Sequence, residues 1–323
     1  MKALLCHAIT EDISTLRIED VQLPPLAPGE VRLRVRAASV NFPDILMVQG
    51  KYQHKPDLPF VVGTECAGEV IAVGDGVHGF SPGERVMGGG LTGAFAEEAQ
   101  RPAAALRRIP DGVDFAMAAG FTAAYVTATV GLVRCGALQA GETLLVLGAA
   151  GGVGLAAVDL GKALGATVIA TASSEEKRAF LTAYGADQVV PARGFRDAVK
   201  DLTGGRGADV IYDPVGGDAF DEATRSIAFG GRVLVVGFAS GRIPTIAANI
   251  PLIKGFSVMG VRAGEYGRRF PHKGRQNLES IDGMLAAGRL HPHTGARLPL
   301  SRAVEAMQML ATRQAIGKVV VEP

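Results

Sequence analysis

Thr143-Leu144-Leu145-Val146-Leu147-Gly148-Ala149-Ala150-Gly151-Gly152-Val153-Gly154 is the stretch whose reading decides the fold of this 323-residue chain. The run from Leu144 to Leu147 is apolar without alternation, as in a strand covered on both faces. Glycines then mark a turn. Beyond it, Val153, Ala157, Leu160 and Leu164 recur on one helical face, and Gly165 suits the left-handed residue that ends a helix. Thr167 to Thr171 reads as the next strand. Working outward, a charged helix covers Glu175 to Tyr184 and stops at Gly185, and a strand covers Gln188 to Val190. Ala208 to Asp213 is a further strand, Ala219 to about Ala228 a helix, and Arg232 to Gly237 and Phe256 to Gly260 two more strands. Six strands alternating with helices give an α/β fold with a parallel, doubly wound sheet.

The glycines also have a chemical reading. A Gly-rich turn between strand and helix, inside a βαβ unit of ~30 residues, is the signature of a dinucleotide site. Gly151 and Gly152 let a pyrophosphate approach the backbone, and Gly154 lets the helix pack close. The helix start, Ala150 with Gly151, Gly152, Val153 and Gly154, offers N–H groups to the anion. Ala149 stands where the usual pattern has its first glycine. A turn without ligand is the competing reading, and the flanking strand and helix weigh against it. About 20 residues after such a loop, NAD-binding sheets carry an acidic residue for the ribose. Here the sequence is Thr171-Ala172-Ser173-Ser174, with Lys177 and Arg178 one turn later. Ser173, Ser174 and Lys177 suit a 2′-phosphate, so NADPH is the expected cofactor. Glu175 and Glu176 leave an alternative: one of them turned inward would oppose the phosphate. The charged run also reads as a solvated first helical turn.

N-terminal to this region the rhythm is that of β-structure. Val31-Arg32-Leu33-Arg34-Val35-Arg36 alternates apolar and basic residues, the period of a strand with one wet face. Glu69 to Gly74 and Glu84 to Met87 are short strand candidates between turns, as in a small barrel or sandwich. At the other end a helix follows Ser301, with Ala303, Ala306, Met307 and Leu310 on its apolar stripe, and Lys318 to Val321 is a closing strand. The length favours two domains. Lys and Arg number 33 against 32 acidic residues, which argues against a broad surface for nucleic acid or membrane. The N-terminus lacks the sustained apolar stretch of a secretory signal. Glycines interrupt the apolar region Leu144 to Val158, so it does not read as a membrane span. Cys6, Cys66 and Cys135 are scattered, without a Cys-x-x-Cys pair. They read as reduced thiols, and a cytoplasmic setting is expected.

With these residues in hand, several motifs in order carry a resemblance. They are Ser39-Val40-Asn41-Phe42-Pro43-Asp44, Gln49-Gly50-Lys51-Tyr52, Pro59 to Gly68, Gly148 to Gly154, Asp213-Pro214-Val215-Gly216-Gly217, Val236 to Ala239, and Gly317-Lys318-Val319-Val320. Over nearly its full length the chain resembles the zinc-free quinone oxidoreductase branch of the medium-chain dehydrogenase/reductase superfamily. The resemblance implies a GroES-like β-rich catalytic domain, residues 1–118 completed by 265–323, and a Rossmann NADP(H)-binding domain, residues 119–264. It implies a homodimer joined through the Rossmann sheets. It also implies that Asn41 and Tyr52 are the polar pair near the nicotinamide, that Thr122 contacts the cofactor's reactive end, and that Gly237, Phe238 and Ala239 form the loop beneath it. Zinc enzymes of the superfamily have Cys where Asn41 stands, His where Thr64 stands, and a four-Cys lobe, so no metal is expected. His291-Pro292-His293 reads as an exposed turn. Pro191-Ala192-Arg193 departs from the Asp-Tyr-Arg of many relatives, which removes a tyrosine from beside the adenosine phosphate.

The expected activity is hydride transfer from NADPH to quinones or related activated carbonyl compounds, with Tyr52 and Asn41 donating hydrogen bonds to the acceptor oxygen. Tyr52 or water would supply the proton. Two alternatives stand beside it. One is a reductase of α,β-unsaturated carbonyls, including enoyl thioesters, with Arg262, Arg268, Arg269, Lys273 and Arg275 as a basic rim or a solvated loop. The other is a non-catalytic NADPH-binding structural or RNA-binding protein, against which the balanced charge argues.

Overall fold

A computed structural model describes all residues 1–323. Its contacts divide the chain into two compact units, Met1–Ala123 with His293–Pro323, and Ala124–Pro292.

The second unit holds six strands, Thr143–Val146, Thr167–Ala172, Gln188–Pro191, Ala208–Asp213, Ile227–Val235 and Ser257–Gly260. Numbered along the unit they lie side by side in the order 3-2-1-4-5-6, every neighbouring pair parallel. The order reverses between Thr143–Val146 and Ala208–Asp213, so a crevice opens outside the carboxyl ends of those two strands. Leu144, Leu145 and Val146 are fully buried, which is why this strand shows no alternation.

The helix Gly152–Ala163 ends at Leu164, and Gly165 follows at φ 84°. Glu175–Tyr184 is capped by the Ser174 hydroxyl, which accepts from the Lys177 N–H at 3.3 Å, and stopped by Gly185 at φ 110°. A helix over Phe195–Leu202 was not read from sequence; it is short and buries only Phe195 and Val199. The helix expected over Ala219–Ala228 is corrected to Gly217–Ala223. The Thr224 and Ser226 hydroxyls turn back onto the carbonyls of Asp221 and Glu222, and Ile227 already pairs with Ala208 in the sheet.

The domain limits also need correction. Residues 265–292, assigned from sequence to the catalytic domain, pack with the second unit. Helices Ala263–Arg269 and Pro271–Ala286 lie there, fixed by Arg134 donating to Asn277 at 2.8 Å and Arg289 to the Ala163 carbonyl at 2.9 Å. The most apolar long helical stretch is Phe115–Cys135, not the glycine-broken segment after Leu144; it has the length and composition to cross a membrane, but 67% of its apolar window is buried inside the fold.

The first unit is built on the long strand Glu30–Ser39, whose Val31, Leu33 and Val35 point into the core. It pairs with Glu65–Val73 on one side and, at its end, with the C-terminal strand Lys318–Glu322 on the other. The tail therefore rejoins the N-terminal sheet. A helix over Ala303–Ala311 buries Ala303, Ala306 and Met307 against Met47, Leu33 and Phe95 in one cluster, while Leu310 is only half-buried. Burying each of the Met, Leu and Phe side chains of this cluster contributes about 1.5–3 kcal/mol, and each alanine less.

Candidate active site

In the second unit three loops meet at the carboxyl end of the sheet. The glycine loop is tied to the second strand, with Ala149 N–H donating to the Thr171 carbonyl at 3.0 Å and Gly148 N–H to the Thr171 hydroxyl at 3.2 Å. This ties the start of the glycine loop to the end of the second strand, two residues before Ser173. No side chain caps the helix that starts at Gly152, and its first intrahelical bond from this end is Leu155 N–H to the Gly151 carbonyl. The N–H groups of Gly152, Val153 and Gly154 therefore have no intrahelical acceptor. The two glycines differ in what they permit. A Cβ on Gly154 would lie 2.6 Å from the Gly148 carbonyl oxygen and 2.8 Å from Ala149 Cα, whereas a Cβ on Gly151 would meet only the Gly148 oxygen, at 3.6 Å. Gly154 is needed for packing, and Gly151 leaves the loop's outer face open.

At the strand end, Ser173 is exposed. Ser174 uses its hydroxyl as the helix cap, so its lone pair is partly committed. Lys177 sits half-buried, and burial pulls its ammonium below the ordinary lysine range, with the Glu176 charge opposing that shift. Glu175 is exposed and paired with Arg178 at 2.5 Å, so its carboxylate is held on the helix surface.

The third loop follows the strand Ala208–Asp213. Fully buried Asp213 accepts from the N–H groups of Val215 and Gly216, each at 2.8 Å. Burial raises its carboxyl above the usual range, while those two bonds act the other way. Gly237 and Ala239 donate to the Asp213 and Pro214 carbonyls, which fixes Gly237–Ala239 against Asp213–Gly217. Phe238 is part-exposed beside Gly216.

In the first unit Asn41 precedes the short helix Phe42–Val48. Its backbone N–H donates to Asp44 at 2.7 Å. Its side-chain nitrogen donates to Glu65 at 2.9 Å, the Ser39 carbonyl at 3.2 Å and the Thr64 hydroxyl at 3.4 Å. Its oxygen accepts from the Lys318 ammonium at 2.6 Å. Lys318 also reaches Glu65 at 3.0 Å, and the other oxygen of Glu65 accepts from the Ala123 N–H at 2.9 Å. Asp44 is fully buried, and its carboxyl is pushed up to about 7 by that burial, against the bonds from Asn41 and Thr64.

Thr122 accepts from Arg107 at 2.6 Å. Tyr52 packs half-buried against the core of this unit, and no group of the protein hydrogen-bonds its hydroxyl.

Asn41, Thr64 and the buried ions Glu65 and Lys318 are thus one network. Sequence reasoning named the first of these as a site residue and overlooked the ion pair. The signal was present: Lys318 is a charge placed directly before three consecutive valines in the closing strand. The structure also revises the chemistry expected of Asn41. Both hydrogens of its amide are spent inside the protein, so it has an acceptor lone pair to offer and no free donor. Nowhere does the chain gather three or more His, Cys, Asp or Glu side chains around a common metal position.

Comparison with known proteins covers both units. The alcohol dehydrogenase GroES-like domain family matches residues 27–134, and the zinc-binding dehydrogenase family matches residues 152–280, a stretch that contains neither Asn41 nor Thr64. A quinone oxidoreductase-like protein 2 homolog of Nematostella vectensis is 40% identical over 326 residues, 99% of this chain and 88% of that protein. The solved structure of a mycobacterial protein complexed with NADPH is 32% identical, with a TM-score of 0.92 over 100% of both chains. Escherichia coli quinone oxidoreductase complexed with NADPH is 26% identical, with a TM-score of 0.90 over 100% of both chains.

Proposed function

The chain belongs to the quinone oxidoreductase branch of the medium-chain dehydrogenase/reductase superfamily, and from that premise we propose that it is an NADPH-dependent, zinc-free oxidoreductase that reduces quinones or related activated carbonyl compounds. The observation that carries the reading is the dinucleotide cradle: an uncapped helix start at Gly152, a close-packed Gly154, and a strand end with exposed Ser173 and no inward carboxylate. The pyrophosphate fits the N–H groups of Gly152–Gly154. Ser173 and Lys177 suit the 2′-phosphate, and Gly237–Ala239 and Thr122 suit the reactive end.

When bound, NADPH supplies the hydride. The protein's part is to orient it and to stabilise charge on the acceptor oxygen. Tyr52 is the donor with a free hydroxyl, so it takes that role. Asn41 offers its remaining oxygen lone pair to a hydroxyl of the cofactor. The donor set at the two positions where zinc enzymes carry Cys and His is an amide already bonded to Glu65 and Lys318 and a hydroxyl that accepts from that amide, which suits no zinc ion.

The unpaired thiols Cys6, Cys66 and Cys135 fit a reducing, cytoplasmic setting. A homodimer is supported by the outer strand Ser257–Gly260, which pairs on one side only. Leu252 and Ile253, in the helix just before it, are 81% and 74% exposed, apolar side chains that a second copy pairing along this edge would cover.

The test is NADPH consumption with a panel of quinones, enones and enoyl thioesters. Quinones should be the best acceptors, and Tyr52→Phe should lower quinone turnover by about tenfold or less, equivalent to ~1.4 kcal/mol. A wild type that prefers enoyl thioesters, with Tyr52→Phe abolishing that activity, would make the reductase of unsaturated carbonyls the better assignment.

A further inference from the structure

The pair Lys318–Glu65 has no place in the chemistry described so far, yet it is well satisfied: Lys318 meets Asn41 and Glu65, and Glu65 also accepts from Asn41 and the Ala123 N–H. Lys318 is 8% exposed and Glu65 3%. Desolvating two ions is costly, and a well-packed apolar pair of the same volume usually serves stability as well or better. Lys318 opens a strand whose Val319, Val320 and Val321 are fully buried, so an aliphatic residue would suit the strand. The fold nevertheless makes room for the lysine. A Cβ on Gly120 would come within 3.1 Å of Lys318 Cβ and Cγ, so the glycine in the helix Phe115–Thr129 lets it pass close to the lysine stem without crowding it.

The pair acts on one neighbour. Asn41 has two amide orientations, and only one is compatible with these partners. With the oxygen toward Lys318 and the nitrogen toward Glu65, every contact joins a donor to an acceptor. Turned over, the oxygen would face a carboxylate and the NH2 group an ammonium. The Asp44 bond fixes the Asn41 backbone at the same time. We propose that Lys318, anchored on Glu65, is a positioning residue that locks the Asn41 carboxamide in one orientation and so fixes how Asn41 meets the bound cofactor.

This rests on the reading above that Asn41 faces the cofactor, and the test keeps the two apart. Lys318→Met removes the ammonium and keeps the stem. It should lower kcat with quinone by about tenfold or more, the range in which a small misplacement of a reacting partner falls. The deuterium isotope effect on kcat, measured with NADPH labelled at the transferred position, should rise. In an Asn41→Ala background the same substitution should change kcat less than twofold, because the residue through which Lys318 acts is gone. Lys318→Arg should recover part of the loss. Should Lys318→Met leave Glu65 uncompensated and fail to fold, Glu65→Gln/Lys318→Met removes both charges and carries the same comparison. A lower melting temperature with unchanged kcat and isotope effect would make the pair merely structural and overturn the proposal. So would losses that multiply in the double variant. If Asn41→Ala alone leaves kcat unchanged, the placement of Asn41 at the cofactor fails, and this proposal fails with it.

Discussion

Individual side chains carry the cofactor choice and one titration. Ser173 is exposed at the strand end, with Glu175 held away by Arg178. Ser173→Asp should therefore put a carboxylate against the 2′-phosphate and reverse the ratio of kcat/KM for NADPH over NADH, from above one to below it. An unmutated enzyme that favours NADH would refute the assignment. Asp44 holds its proton up to about pH 7 in the folded chain, against 3.8 for an unperturbed carboxyl. Between those values folding takes up a proton, so this group's contribution to stability falls as pH rises and is lowest above 7. Asp44→Asn, neutral throughout and still able to accept from the Asn41 N–H, should escape that decline. Its melting temperature should match wild type near pH 4 and exceed it at pH 8 by about 2–4 °C for each kcal/mol relieved. A gap that does not change with pH would show that Asp44 is not the group responsible. Asn41 and Tyr52 stood out in the sequence as candidate site residues through their motifs. That Asn41 has no free donor was not legible, because it depends on Lys318, which stands at the far end of the sequence and meets Asn41 only in the folded sheet.

Secondary-structure elements were legible where the chain punctuates itself. Glu175–Tyr184 was read to the residue because Ser174 caps it and Gly185 ends it, and the strand Ala208–Asp213 because its apolar run is bounded by glycine and proline. The helix Pro271–Ala286 was missed although Asn277, Ile281 and Leu285 are buried at helical spacing, since its face holds one polar residue in three and no cap announces it. Within the glycine loop, two residues that look alike in sequence have separable roles. Gly154→Ala drives a Cβ into the backbone of Gly148 and Ala149, which cannot yield. It should lower both the melting temperature and NADPH affinity, the latter by about tenfold or more by displacing the helix start. Gly151→Ala meets nothing closer than 3.6 Å, so the melting temperature should fall by only the few degrees that about 1 kcal/mol of lost helix capping costs, less than for Gly154→Ala, while NADPH affinity falls. Equal effects of the two substitutions, by thermal melt and fluorescence titration, would contradict this division.

At the level of the whole molecule, the α/β class and the return of the tail were legible, but the boundary of the second unit was not. Residues 265–292 join it through Arg134, Ala163 and Asn277, contacts that no local pattern reveals. The proposed dimer belongs to this scale too. Leu252→Glu with Ile253→Glu places charge on the exposed ground beside the outer strand and should yield monomers in analytical ultracentrifugation, with the fold retained. A chain that stays dimeric would move the interface elsewhere. The way the units divide the sequence has one more consequence. The second unit is a single uninterrupted segment, Ala124–Pro292, whereas the sheet of the first needs both Glu30–Ser39 and Lys318–Glu322. During synthesis on the ribosome, therefore, the middle of the protein can fold as soon as it emerges, while the earliest-made strands wait with an open edge for the last-made one. Of the two units, the one begun first is completed second, and until then its apolar residues depend on the speed of elongation and on chaperones for protection.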